Sequence, residues 1–258
     1  MSYITTDNLT SIMAEMTDYC NAACPMCNRF DWDLKLVKGI TNSHHTTLEF
    51  VKQKIGIEIL SKLKEWTCQG TYGDASMNPE TVQIFTYLRE VNPKLNISMY
   101  TNGGARNKDF WQAMAELDII ITFGIDGLEN TNHLYRRNVK WDSLMENVKT
   151  FIANGGHAKW DLLVFKHNQH QIEEAKALSK ELGFKSFDHT FSERWQDFNS
   201  DGEYRDIQRL EVDGYIIEKP IEQKIDFIKD DDWTKSKNVF VTEQKKEKDN
   251  FFTRKIMC

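Results

Sequence analysis

From about residue 9 to residue 190, short apolar runs alternate with amphipathic stretches. "SIMAEMT" (11–17) reads as a strand leading into a loop. "TTLEFVKQKIGIEILSKL" (46–63) reads as a helix, with Thr47 placed to cap it and apolar residues at helical spacing. "EWTCQG" (65–70) predicts a short strand, and "NPETVQIFTYLREV" (78–91) a helix with Asn78 as cap and Pro79 in its first turn. "LNISMYTNGG" (95–104) reads as a strand ending in a turn. "KDFWQAMAEL" (108–117) reads as a helix, and "DIIITFGIDG" (118–127) as a buried strand and turn. "WDSLMENVKTFIANGG" (141–156) is a helix closed by glycines, and "KWDLLVF" (159–165) a strand. "NQHQIEEAKALSKELG" (168–183) is a helix capped by Asn168 and stopped by Gly183, and "FKSFDHTF" (184–191) is the last strand.

Six strands, most followed by a helix, imply a parallel sheet with right-handed crossovers. Six such units can curl into an open barrel whose working face is built from the loops after the strands. The expected fold is therefore α/β: a partial (β/α)6 barrel over residues 1–190 with a polar C-terminal appendage over 191–258. Beyond residue 192 the pattern is polar and aperiodic, and 222–250 is charge-rich, with "DDD" at 230–232 and "KKEK" at 245–248. This stretch predicts weak structure of its own.

Composition narrows the function. The chain has 258 residues, 40% hydrophobic and 28% charged, which is ordinary for a globular protein. No apolar run is long enough to span a membrane, and the N-terminus lacks a secretory pattern, so a cytoplasmic location is expected. Net charge is −6, from 33 basic and 39 acidic residues, which gives no support to a nucleic-acid partner. In a reducing compartment, clustered cysteines point to metal rather than to disulfides.

Three of the five cysteines lie in "CNAACPMC": Cys20, Cys24 and Cys27, spaced C-x3-C-x2-C. Four thiolates would close a zinc or iron–sulfur site. Three leave one metal position open, as a catalytic centre needs.

This spacing, directly after the first strand of a βα barrel, resembles the radical S-adenosylmethionine (SAM) enzymes. The resemblance covers roughly residues 9–190. It implies a [4Fe–4S] cluster on Cys20, Cys24 and Cys27, with the unique iron held by the amino and carboxylate groups of SAM. It also implies one-electron cleavage of SAM to a 5′-deoxyadenosyl radical that abstracts hydrogen from a substrate. Met26 fills the position where the family favours an apolar residue against the adenine. "GDASMNPE" (73–80) stands where the family has a Gly-Glu-Pro turn that holds the SAM amino group largely by backbone, with Asp74 for Glu and Ala75 for Pro. "TNGG" (101–104) matches a Thr-Asn-Gly turn. "GIDGLENTNHLYRR" (124–137) is similar to a Ser-Ile-Asp-Gly…His…Tyr-Arg stretch of members that modify peptides or carry a second cluster; Gly124 replaces the Ser, while Asp126, His133 and Arg136 are kept. The implied cofactor-binding set is Met26, Gly73, Asp74, Thr101, Asn102 and Asp126; no catalytic side chain is implied.

Simpler readings stand beside these. The cysteines suit a structural zinc site completed by Cys68 or a histidine. Gly73, Asp74 and 101–103 suit turn chemistry alone, and Asp126 a turn or cap carboxylate. His133 and Arg136 read as a packing and salt-bridge pair, Cys68 as a small core residue, and His167 and His170 as solvated surface. Cys258 resembles the first ligand of a SPASM or twitch-type auxiliary-cluster extension in a chain cut short, or else is an idle tail thiol. The expected substrate is a peptide or protein, with a small molecule or nucleotide-sugar as the alternative. The resemblance further implies an electron donor such as flavodoxin or ferredoxin.

Overall fold

The computed structural model describes residues 9–30, 35–192, 195–198, 204–206, 209–212 and 214–221. Cys258 and the charge-rich stretch beyond 221 lie outside them.

Six strands form one sheet in chain order: β1 (Ser11–Met13), β2 (Glu65–Cys68), β3 (Asn96–Thr101), β4 (Ile120–Gly124), β5 (His157–Val164) and β6 (Ser186–Phe191). Every pairing is parallel. The crossovers are helical. The first runs through α1 (Leu48–Phe50), a π turn (Val51–Ile55) and α2 (Gly56–Leu60), because Gly56 at φ 75° interrupts what the pattern reads as one helix. The others are α3 (Thr81–Val91), α4 (Lys108–Glu116), α6 (Trp141–Ala153) and α7 (Ile172–Leu182), with a one-turn α5 (Asn132–Tyr135) in the loop before α6. No described helix is long and apolar enough to cross a membrane.

Two expected caps fall elsewhere. Asn78 does not cap α3, which starts at Thr81; its Nδ2 donates to the Met16 and Thr46 carbonyls, at 2.7 Å each, and ties the first rim loop down. Asn168 precedes a 3-10 turn rather than α7, and it donates to the carbonyls of Asp126 (2.8 Å) and Leu163 (2.9 Å). Both amides satisfy irregular backbone, which a buried loop requires. Thr47 caps α1 as its position predicts, accepting from the Phe50 N–H, and Gly183 closes α7 in the left-handed conformation.

Strand alternation sorts the two faces of the sheet. Phe123 packs on Trp111 of α4 and Phe151 of α6, and Trp160 packs on Phe184. These residues, with Ile121, Ala158 and Leu162, form the buried layer under the helices. The intervening positions on the concave face are more polar: Thr67, Ser98, Tyr100, Thr122 and Asp161, with Ser98 donating to Thr67 at 3.1 Å.

The stretch after β6 has more structure than its polarity predicts. Strands β7 (Gln196–Phe198) and β8 (Tyr204–Asp206) pair antiparallel, as do β9 (Arg209–Val212) and β10 (Tyr215–Glu218). Trp195 and Ile217 are buried in the barrel's own core, and the Lys166 N–H donates to the Glu218 carbonyl at 3.1 Å. Two large apolar side chains and this backbone bond are enough to fasten a segment whose average composition looks solvated.

Candidate cofactor site at the barrel rim

The cysteine loop follows β1 and is held down by its neighbours. Asp18 accepts from Thr41 N–H (2.7 Å), Thr41 Oγ1 (2.9 Å) and His44 N–H (2.8 Å). Partial burial works against that carboxylate, but these donors hold it well below the usual range. Arg29, buried, donates to the Asp18 carbonyl at 3.1 Å and to Asn42. Gly73 docks the turn after β2 against the same loop. A Cβ there would stand 2.3 Å from the Thr17 carbonyl oxygen, and the adjacent Asp74 N–H donates to the Tyr19 carbonyl at 2.9 Å. The glycine is required by close backbone approach.

Asp74 is buried and surrounded by donors. Oδ1 accepts from Ser76 N–H (3.0 Å) and Ser76 Oγ (2.7 Å). Oδ2 accepts from Asn102 N–H (2.9 Å) and Asn102 Nδ2 (2.7 Å), and Thr101 Oγ1 donates to both oxygens. A carboxylate has about four lone-pair sites, so this one is fully engaged within the chain. Asn102 passes the connection on: its Nδ2 also approaches Cys20 Sγ (3.6 Å) and Asn21 Oδ1 (2.9 Å). Thus Gly73, Asp74, Thr101 and Asn102, expected as one set, do meet at one place, under Cys20. Asn21 belongs with them, and no sequence motif singles it out.

Across the rim, Asp126 is fully buried after β4. Its Oδ1 accepts from the Leu163 N–H at 2.7 Å, and its Oδ2 lies 2.5 Å from Arg136 Nε. Burial raises the Asp126 carboxyl above its ordinary value, with the guanidinium and the Leu163 N–H acting against it. Against the cost of burial, Asp126 and Cys24 hold Arg136 well above its usual range. Arg136 Nη1 reaches Cys24 Sγ at 3.7 Å. His133 is exposed, so Arg136 pairs with Asp126 and not with the histidine. His167 is not solvated surface either. It stacks on Phe165 at 5.4 Å, both ring nitrogens are buried, and burial lowers its pKa to about 4.

Cys20 and Cys27 are half-buried, while Cys24 and Met26 are buried. Burial raises the Cys20 thiol to about 12 and the Cys24 thiol to about 11, so a metal bound there would have to displace those protons. Among the described residues no three His, Cys, Asp or Glu side chains converge to hold a single metal ion. The donor set itself is three thiols on one short loop, soft ligands of the kind that iron–sulfur clusters and zinc take. Cys68 is buried in β2, a core residue as expected. A cavity of about 580 Å³ beside the 37–47 segment includes Thr17 and Asp18, but none of the thiols and none of the expected cofactor residues.

An open parallel barrel with a three-thiol loop on the rim after its first strand defines a class of α/β proteins built to carry a metal cluster at the barrel mouth. The sequence matches the Radical SAM superfamily over residues 14–179, and the chain belongs to that superfamily of enzymes, whose members use a [4Fe–4S] cluster and SAM. No curated protein matches it in sequence. Among solved structures it is similar to Streptococcus suis SuiB bound to S-adenosylmethionine (TM-score 0.59, 15% identity, covering 93% of this chain and 48% of that one). It is also similar to SuiB bound to the precursor peptide SuiA (TM-score 0.58, 14% identity, 71% and 39%). A third is anSMEcpe with bound AdoMet and the Cp18Cys peptide (TM-score 0.56, 15% identity, 74% and 54%). The chain spans about half the length of these proteins, and identities this low carry the fold alone.

Proposed function

We propose that this chain is a radical SAM enzyme in which Cys20, Cys24 and Cys27 hold a [4Fe–4S] cluster with one iron open to SAM, and that its substrate is a peptide. When bound, the cluster and SAM together supply a 5′-deoxyadenosyl radical that takes hydrogen from the substrate. The chain's residues provide the frame. The Asp74–Thr101–Asn102 network holds Cys20 and the turn after β2 in one register. Asp126 and Arg136 hold the opposite side of the rim, beside Cys24. Met26, next to Cys27, would contact the adenine, and the backbone of 73–76 would hold the SAM amino group. Asp74 serves this through the backbone it positions, because its oxygens are already engaged. Burial of Cys24 keeps water from that thiol and strengthens nearby electrostatics.

The observation that carries the reading is the meeting of three rim turns, 73–76, 101–104 and 124–127, around one C-x3-C-x2-C loop. A peptide substrate is favoured by the polar concave face, which suits a backbone rich in donors and acceptors, and by the peptides named with SuiB and anSMEcpe. Anaerobic reconstitution tests it. The expected result is about four irons per chain, a cluster spectrum perturbed by SAM, and loss of both in Cys24→Ala. One tightly held zinc with no iron uptake would reverse the assignment.

A further inference from the structure

Gly124 is the point at which the rim departs from the serine of the family pattern, and the structure accounts for the departure. A Cβ built on Gly124 would lie 2.3 Å from Arg136 Nη2 and 3.0 Å from its Cζ. The guanidinium occupies the space of the missing side chain. Seated there, it is anchored through Nε to buried Asp126 (2.5 Å) and turns Nη1 toward Cys24 Sγ (3.7 Å). Tyr135, next in the chain, places its ring 5.7 Å from the same guanidinium. The Cys20 and Cys24 thiols are therefore held differently. Cys20 accepts from neutral donors, the Ala22 N–H at 3.4 Å and Asn102 Nδ2 at 3.6 Å, with the Arg29 cation acting on it without a hydrogen bond. Cys24 accepts from a cation.

We infer that Arg136, seated over Gly124, is the electrostatic partner of the Cys24 thiolate and raises the reduction potential of the cluster that this thiolate holds. The inference rests on the cluster reading above. A [4Fe–4S] centre that gains an electron gains negative charge, and charge-assisted hydrogen bonds to its sulfurs stabilise that state. Asp126, which meets Nε while the thiol meets Nη1, opposes part of this effect. Its main role is to fix the direction of Nη1. A side chain at position 124 would press on the guanidinium and force it to shift, so the glycine sets where Arg136 rests.

The test is an anaerobic redox titration of the reconstituted full chain, followed by the electron paramagnetic resonance of the reduced cluster. Two variants are compared with wild type: Gly124→Ala, which crowds the guanidinium, and the double variant Arg136→Gln/Asp126→Asn, which removes both charges and leaves no orphaned carboxylate. Each is expected to hold wild-type iron and to lower the reduced-to-oxidised ratio at fixed potential about tenfold, a shift of about 59 mV for one electron. An unchanged potential in either variant, with its cluster intact, overturns the inference and leaves the cluster assignment standing. If the double variant takes up no iron, Gly124→Ala decides by the same criterion. If wild type itself takes up no iron, both readings fall.

Discussion

The two halves of the rim solve one problem by different physics. Each carries a buried carboxylate in a Gly-rich turn, and each uses it to fix a loop beside a thiol. After β2 and β3, Asp74 spreads its charge over five neutral donors from Ser76, Thr101 and Asn102. After β4, Asp126 faces one cation and one backbone N–H. Dispersed neutral donors tolerate the loss of one member, because the remaining ones relax around it. An ion pair in a dry site does not, since removing either charge strands the other. The first arrangement braces; the second also projects a field toward the Cys24 thiol.

Substitutions separate the two designs. Asp126→Ala leaves the Arg136 guanidinium unpaired and should cost about 3–5 kcal/mol of stability. Chemical denaturation measures it, and a loss below 1 kcal/mol would show that water reaches the pair. Asp74→Ala strands several donors that share neighbours, and should cost less, about 2–4 kcal/mol. Its expected signature is loosening of both turns, 73–76 and 101–104, read as faster amide exchange. Faster exchange in only one of them would break the picture of a shared brace.

Acid separates the halves further, in two steps. His167 belongs to the second half, and burial lowers its pKa to about 4 from an ordinary 6.5. A depressed histidine is neutral when folded, so the unfolded chain binds the extra proton. Its contribution is intact above about pH 6.5 and is lost as pH falls toward 4. His167→Phe, which keeps the stack on Phe165, should flatten the melting temperature across that window. Asp18 belongs to the first half and is lowered too, but as a carboxyl it is the charged form that the fold favours. A depressed carboxyl stabilises above its unfolded value of about 3.9 and loses that contribution below it. The 37–47 segment should therefore open only below about pH 4. Asp18→Asn should remove this acid step, a smaller change than the others because the group is near the surface. An opening of both regions at one pH would mean that the rim responds as one unit.

Much of this was readable in the chain, for identifiable reasons. Strand and helix periods carry the sheet order, because parallel strands buried under helices need continuous apolar runs. The thiol spacing is local, so Cys20, Cys24 and Cys27 stand out unaided. The misread parts are those whose cause is distant. Asn78 and Asn168 look like helix caps because cap chemistry and loop-bracing chemistry use the same amide. Helix α5 is one turn long and has no period to find; it is set by side-chain contacts such as Asp126 N–H to Asn132 Oδ1 at 2.9 Å. Gly124 reads as a lost hydroxyl until Arg136 is seen in its place. Trp195 and Ile217 disappear into a polar average, although each fills a core position.

The contact between Arg136 and Cys24 spans 112 positions of the chain, and that separation is also an interval of time. At roughly 5–20 residues per second, the ribosome needs about 6–22 s to add the arginine after the cysteine. Through that interval the thiol loop lacks its cation, the β4 turn and the walls that bury it. The nascent cysteines wait in the open, available to stray metals and oxidants, until the chain delivers the residues that shelter them. Slowing synthesis between β1 and α5 should lengthen that exposure and lower the fraction of newly made protein that accepts iron. Recoding that does not change a single amino acid can thus alter how long the thiol loop stands open.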